Sequence, residues 1–286
     1  MKKLYCIILF LTLTLWAHSQ IPTNNYILTR TMCDSLGVAT IDQIQYYDGL
    51  GRPYLAVLKG AAGGNRHLAS LQEYDTQGRN KCIWLPVCIE QEYNNSYDLK
   101  KKLLETYQDS LAYTSYDYHT LPLDRVTWES GPGKAWVGKG IKNDYFFNIA
   151  SPDSVLSCKK YSVTDGGGRL LYDGYYKANA LSVVCNTDED GYRSYTFKDS
   201  EGRVLLVRSC DGNVFSDTYF VYDSFGRLCY VLPPSYQENE DLDLWAYQYS
   251  YDGLGRCIKK KYPGCDEVSY VYDNADRIIC SEDGVQ

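Results

Sequence analysis

The sequence predicts a mainly β chain built as an array of hairpins. A pentapeptide of the form Asp-x-x-Gly-Arg recurs along it, aromatic and β-branched residues alternate with period two before each copy, and 29 tyrosines stand against 7 phenylalanines. Period-two alternation marks strands. Tyrosine suits half-buried strands, because its ring packs while its hydroxyl reaches water or a backbone partner.

The copies are Asp48-Gly51-Arg52, Asp75-Gly78-Arg79, Asp165-Gly168-Arg169, Asp199-Gly202-Arg203, Asp223-Gly226-Arg227 and Asp252-Gly255-Arg256, with a degenerate seventh, Asp273-Arg277, in which Asp276 replaces the glycine. Chance would supply about 0.05 such pentapeptides in a chain of this size. Tyr247-x-Tyr249-x-Tyr251 and Phe220-x-Tyr222 lead into two of the copies. Apolar runs such as Val204-Leu205-Leu206-Val207 and Leu228-Cys229-Tyr230-Val231-Leu232 follow. The unit therefore reads as strand, tight turn, strand. Asp accepts backbone N–H groups from residues just ahead, and Gly supplies the positive φ of a short hairpin loop. Arg, four residues after Asp, is placed to reach back to the carboxylate, a pairing expected to set turn geometry more than stability. The copies from Asp199 onward stand roughly 20–30 residues apart, the spacing of one hairpin per stacked repeat.

Elsewhere the texture differs. Leu99, Leu103, Leu104, Tyr107 and Leu111 recur at helical spacing and predict a short amphipathic helix packed on a sheet edge. Gly131-Pro132-Gly133 marks a soft boundary. The N-terminus carries Lys2 and Lys3, then an apolar run from Leu4 to Trp16 and small or polar residues to Gln20. That is the order of a secretory signal peptide, cleaved after Ser19, and the run falls short of the roughly 18 apolar residues of a membrane span. The expected organisation is a signal peptide over 1–19, an N-terminal cap domain with two motif copies and the helix over 20–137, and the hairpin array over 138–286.

Formal charge is −7, without acidic or basic blocks, so neither nucleic acid nor an anionic membrane is an expected partner. Of 11 cysteines one lies in the signal peptide. Cys82, Cys210, Cys229 and Cys280 sit among apolar strand residues, as buried free thiols do. Cys257 and Cys265 flank Pro263-Gly264 and form the local pair most open to a disulfide. Residues 133–140 copy a phosphate-binding loop up to Lys139, but Gly140 stands where Ser or Thr is needed. Asn186-x-Asp188-x-Asp190-Gly191 copies half a calcium loop, yet Phe197 replaces the closing Glu, so a polar turn is the better reading. Outside the signal peptide only His67 and His119 are available to a triad or a metal. No cofactor, metal or catalytic residue is expected, and the chain reads as non-enzymatic.

The tandem Tyr222-Asp223-x-x-Gly226-Arg227-Leu228 and Tyr251-Asp252-x-x-Gly255-Arg256 resembles the YD-repeat, or RHS-repeat, family of bacterial surface and toxin proteins. Tyr46-Tyr47-Asp48-x-x-Gly51-Arg52-Pro53, Glu73-Tyr74-Asp75 and Leu85-Pro86 are similar to the domain of unassigned function that opens many secreted RHS proteins. So are Leu121-Pro122-Leu123-Asp124-Arg125-Val126 and Gly131-Pro132-Gly133-Lys134-Ala135-Trp136, with Asp124 where the family usually has Asn. The resemblance implies a β-hairpin array forming part of a spiralling shell, which in long members encloses a C-terminal toxin or presents an adhesive surface. It implies an extracellular structural scaffold, secreted or on the cell surface, whose partner is a downstream YD-repeat or effector segment in the same or a neighbouring chain. A carbohydrate- or cell-surface-protein-binding adhesion module is the alternative. The array is expected to be incomplete, with an open edge after the copy at Asp273 through which the chain self-associates.

Overall fold

The computed structural model describes residues 25–34, 39–92, 95–121, 123–164, 168–212 and 214–284. The expected signal peptide lies outside them. Strand accounts for 49% of the described residues and helix for 10%, so the fold is mainly β. The described residues fall into two compact units, one up to 125 with 129–139 and one of 126–128 with those from 140 onward.

The first unit runs β1 (Asn25–Met32), β2 (Thr40–Tyr47), β3 (Pro53–Leu58), β4 (His67–Tyr74), β5 (Asn80–Trp84), β6 (Val87–Ile89), α1 (Ser96–Tyr107) and β7 (Tyr113–Tyr118). Strands β1 to β4 pair antiparallel in sequence order, and β4 then pairs with both β5 and β6, β5 with β7. Alternate residues point inward: Ile44 and Tyr46 from β2, Leu55 and Val57 from β3, Ala69 and Leu71 from β4 form the core. The helix lays Leu99 and Leu103 on this core beside Trp84, Val87 and Ile89. It starts where Asn95 accepts the Asp98 N–H and stops where Gln108 turns left-handed at φ 51°. Leu111, expected to continue the helical stripe, therefore lies beyond it, in a turn whose amide donates to Asp109 Oδ1.

Strand β8 (Val126–Ser130) is divided between the units, and the short 3₁₀ turn Lys134–Trp136 follows it. The second unit continues with β9 (Ile141–Phe147), β10 (Lys159–Val163), β11 (Leu170–Tyr175), β12 (Ser182–Thr187), β13 (Arg193–Lys198), β14 (Val204–Asp211), β15 (Val214–Tyr222) and β16 (Leu228–Leu232). Two short helices, α2 (Pro234–Asn239) and α3 (Leu242–Trp245), precede β17 (Tyr247–Tyr251), β18 (Cys257–Lys261), β19 (Glu267–Tyr272) and β20 (Ile278–Glu282). Strand β9 pairs with β12, and from β12 to β20 each strand pairs antiparallel with the next. The β10–β11 hairpin stands outside this sheet as a two-stranded ribbon packed on its core through Tyr161, Val163 and Leu170. Beneath it Arg208, 7% exposed, forks onto Asp217 at 2.7 Å and donates to Val155 O and Ser157 O. A buried guanidinium is tolerated only with such complete pairing.

Cys82, Cys210 and Cys229 are buried free thiols as expected, but Cys280 is exposed, because every residue of β20 is. Cys257 and Cys265 are not bridged. The turn at Pro263-Gly264 forms, with Cys265 N–H donating to Tyr262 O, but it pairs Lys261 with Glu267. Cys257 thus sits four residues up β18, about 13 Å of strand from the turn that holds Cys265, beyond disulfide reach.

Candidate functional site

Each recurring turn sets an Asp against an Arg, and one geometry repeats at six copies. At Asp48 the backbone N–H donates to Arg52 O at 2.9 Å and Gly51 N–H returns to Asp48 O at 3.0 Å. The carboxylate closes the loop from the side: Oδ1 accepts the N–H of Leu50 and of Arg52, both at 2.9 Å, and Oδ2 accepts Arg52 Nε at 2.8 Å. Asp75, Asp199, Asp223, Asp252 and Asp273 repeat every one of these contacts. This is a β-turn followed by a left-handed residue, which leaves a bulge in the flanking strands. The pairing register shifts at Tyr46/Tyr47, Glu73/Tyr74, Phe197/Lys198, Val221/Tyr222, Ser250/Tyr251 and Val271/Tyr272. The left-handed position is Gly51, Gly78, Gly202, Gly226 or Gly255, with φ between 78° and 85°, and Asp276 at φ 60° in the degenerate copy. Aspartate is among the few residues that accept that conformation.

The turn carboxylates sit below the usual aspartate range. At Asp48, Asp252 and Asp273 the leading cause is the N–H donated by the Arg. At Asp75, Asp199 and Asp223 burial is the largest effect and opposes the shift, but the bonds from Arg79, Arg203 and Arg227 together outweigh it.

What the pentapeptide does not display is where each arginine goes next. The Arg52 guanidinium lies 4.5 Å over the ring of Tyr74, Arg79 4.3 Å over Tyr118, Arg203 5.5 Å over Tyr222, and Arg227 and Arg256 each 5.0 Å over Tyr251 and Tyr272. Each ring belongs to the strand entering the next such hairpin. The tyrosine completes the link: the hydroxyls of Tyr74, Tyr118, Tyr251 and Tyr272 donate to the carbonyl one residue past that arginine, Pro53, Asn80, Leu228 and Cys257, at 2.6 to 2.9 Å. Burial pushes the hydroxyls of Tyr74, Tyr118 and Tyr222 up, and that of Tyr251 to about 12, so all four stay neutral. Arg227 and Arg256 add a bond from Nη1 to the carbonyl of the next turn aspartate. A Cβ at Gly78 or Gly226 would stand 3.1 or 3.2 Å from the Nη1 of Arg52 or Arg203, so these glycines also leave room for the preceding repeat's arginine. The motif is thus a latch: Asp holds Arg, and Arg with its adjacent carbonyl holds the tyrosine of the following hairpin.

Three turns depart from the pattern read in the sequence. In the copy at 165–169, Thr164 takes the aspartate's place: its N–H donates to Arg169 O and its Oγ1 accepts the Arg169 N–H at 2.9 Å, while Gly168 N–H returns to Thr164 O. The loop is one residue longer than the motif, and Asp165 lies outside the described residues. Asp188, considered for calcium, builds the same turn without an arginine, its Oδ1 accepting Asp190 and Tyr192 N–H and Gly191 at φ 89°. His119 closes a wider turn onto Arg125 O and accepts the Leu121 N–H at Nδ1. Asp124 in that turn is left-handed at φ 48°, a position where Asn and Asp are equally at home. Turns thus form where the sequence places the copy at 165–169 and the polar turn at Asp188, the former one residue longer than expected; the turn at His119 was not read from the sequence, because His breaks the pentapeptide.

Among the described residues no cluster of His, Cys, Asp and Glu could hold a metal ion. His67 spends Nδ1 on the Gly60 amide. No helix among the described residues is long and apolar enough to cross a membrane.

A family model described as a domain of unknown function, DUF6443, matches residues 24–147. No curated protein matches the chain. Among solved structures, the chain is similar to TcdB2-TccC3 without its hypervariable C-terminal region, at 15% identity and a TM-score of 0.55 over 96% of this chain and 13% of that one. It is similar also to the Photorhabdus luminescens Tc holotoxin pore carrying a TccC3 mutation, at 16% identity and a TM-score of 0.58 over 94% of this chain and 13% of that one. The chain spans about 13% of the length of the chains it matches. At this identity the likeness is one of fold: a mainly β, antiparallel hairpin chain resembling the Tc toxin RHS shell fold.

Proposed function

We infer that the chain is a non-enzymatic, extracellular structural scaffold, the N-terminal segment of an RHS/YD-repeat shell that encloses or presents a C-terminal effector. Export through residues 1–19 and a secreted or cell-surface location belong to the same reading. The observation that carries it is the state of the last latch. The side chains of Arg52, Arg79, Arg203, Arg227 and Arg256 are 16 to 32% exposed, each under a tyrosine ring, whereas Arg277 is 78% exposed. Beside it β20 is exposed at every residue, including Ile278 and Ile279. A strand edge of β-branched residues with an unstacked arginine fits a further YD hairpin from a downstream segment, in the same or a neighbouring chain.

Extending the chain by two further YD hairpins tests this. Amide exchange over residues 270–280 should slow at least tenfold, and light scattering should show the self-association of residues 20–286 suppressed. A protein of residues 20–286 that is monomeric at high micromolar concentration, with those amides already protected, would contradict the reading.

A further inference from the structure

Strand β1 lies at the edge of the first unit's sheet. It pairs with β2 from Asn25 to Met32 without a register shift, and among the described residues it has no second partner strand. Every residue of β1 is exposed. Tyr26 and Leu28 stand directly opposite Tyr46 and Ile44, so with Met32 they continue the face on which Ile44 and Tyr46 are buried. The Tyr26 ring lies 5.7 Å from that of Tyr46. The buried core nevertheless stops at β2, and Tyr26, Ile27, Leu28 and Met32 are 48 to 60% exposed. Edge strands are commonly guarded against pairing by lysine, proline, a bulge or an inward charge. Strand β1 has neither Lys nor Pro nor bulge. Its one charge, Arg30, is spent inside the chain, where Nε and Nη2 fork onto the two carboxylate oxygens of Asp42 at 2.7 Å.

We propose that β1 is the seam of a homodimer, pairing antiparallel with β1 of a second copy about a two-fold axis through Thr29. The strand's own sequence selects this occupant and this register. A two-fold axis perpendicular to the sheet keeps each face on its own side, and opposite residues share a face, so the axis must pass through a residue. At Arg30 it would set like charges directly opposite each other, which is destabilising. Nearer either end of the strand it would leave Met32 or Tyr26 without an opposite residue in β1. At Thr29, Tyr26 meets the partner subunit's Met32, Ile27 meets the partner subunit's Thr31, and Leu28 meets the partner subunit's Arg30. A thioether against an aromatic ring and an arginine stem along a leucine are both favourable contacts. Because Asp42 neutralises Arg30, the seam carries no net charge although the chain carries −7. Strand β20, exposed throughout, offers a second copy only Ile278–Glu282, a shorter match than the run from 26 to 32. A seam of one strand is a small interface, so the dimer is a weak one. This inference stands apart from the scaffold reading: a chain lengthened beyond β20 keeps the β1 dimer and loses only the association that β20 carries.

The test uses residues 20–286 with the exposed Cys33, Cys88, Cys265 and Cys280 changed to Ser. On mild oxidation Thr29→Cys should be captured as a disulfide-linked dimer at least tenfold more than Ile27→Cys, whose two copies lie about 13 Å apart along the strands in this register. Amides over residues 26–32 should exchange at least fivefold more slowly at high than at low micromolar protein. Thr29→Lys and Thr29→Asp, at an exposed position, each set like charges across the axis and should abolish that slowing. An equal mixture of the two sets opposite charges there and should restore it. These readouts are local to β1, whereas association at β20 is read over residues 270–280, so the two proposals fail separately. Exchange over 26–32 that ignores concentration would overturn the proposal, as would Thr29→Cys linked no better than Ile27→Cys or a mixture that recovers nothing.

Discussion

Replacing Asp223 by alanine removes the acceptor of three groups at once. Oδ1 holds the N–H of Phe225 and Arg227 at 2.9 Å, and Oδ2 holds Arg227 Nε at 2.7 Å, with the Asp223 side chain only 5% exposed. A hydrogen bond to a charged acceptor contributes about 1.5–3 kcal/mol, but the two amides are half-buried and water can partly replace the carboxylate, so about 1 kcal/mol each is reasonable. Loss of the ion pair adds about 1 kcal/mol, because it is shielded from solvent. Asp223→Ala should therefore destabilise by about 2–4 kcal/mol. The chain has two compact units and a global transition need not be two-state, so urea unfolding should be accompanied by amide exchange, which reads the hairpin over residues 222–228 directly. Asp273→Ala, whose Arg277 is open to solvent, should cost visibly less. A loss below 1 kcal/mol for Asp223→Ala, or exchange at 222–228 unchanged, would refute the claim that the carboxylate organises the turn.

The pH response follows from the same carboxylates. Their folded values lie below the ordinary 3.8, so their stabilisation is complete above that value and is lost as pH falls through the lower folded values. Urea midpoints should stay level from neutrality to about pH 4.5 and drop below about pH 3.8; a decline already between pH 7 and 5 would point to other groups. Thiols give an independent check on the core. Burial pushes the Cys158 thiol to about 12 and Cys82 to about 11, so both should resist an aromatic disulfide reagent until the protein unfolds, while exposed Cys33, Cys88, Cys265 and Cys280 react at once. Prompt labelling of Cys158, or Cys257 and Cys265 recovered as a bridged peptide, would contradict the structure.

The hairpins were legible because everything that shapes each turn lies within five residues: an acceptor, a left-handed glycine and a returning arginine. The strands were legible from alternation for the same local reason, and so was the stripe of Leu99 and Leu103, although Leu111 follows the helical period only by coincidence beyond the left-handed Gln108. The latch was not legible. Its tyrosine bonds to a carbonyl 15 to 38 residues away, a separation set by hairpin length and not by motif spacing. The sequence therefore suggested that the arginine serves only its own turn, whereas its guanidinium also carries the next repeat. Exposure of Cys280 was hidden for a related reason, since an apolar strand reads the same whether or not a neighbour covers it.

The most direct test of the latch is a double-mutant cycle on Arg227 and Tyr251, which belong to successive hairpins and lie 5.0 Å apart, ring centroid to guanidinium. Arg227→Met and Tyr251→Leu keep the bulk of each side chain, and urea unfolding of both single variants and the double variant isolates their coupling. The account predicts a coupling energy of about 0.5–1.5 kcal/mol in favour of the native pair. Strictly additive effects, with coupling within about 0.2 kcal/mol of zero, would show that each turn stands alone and that the arginines do not join one repeat to the next.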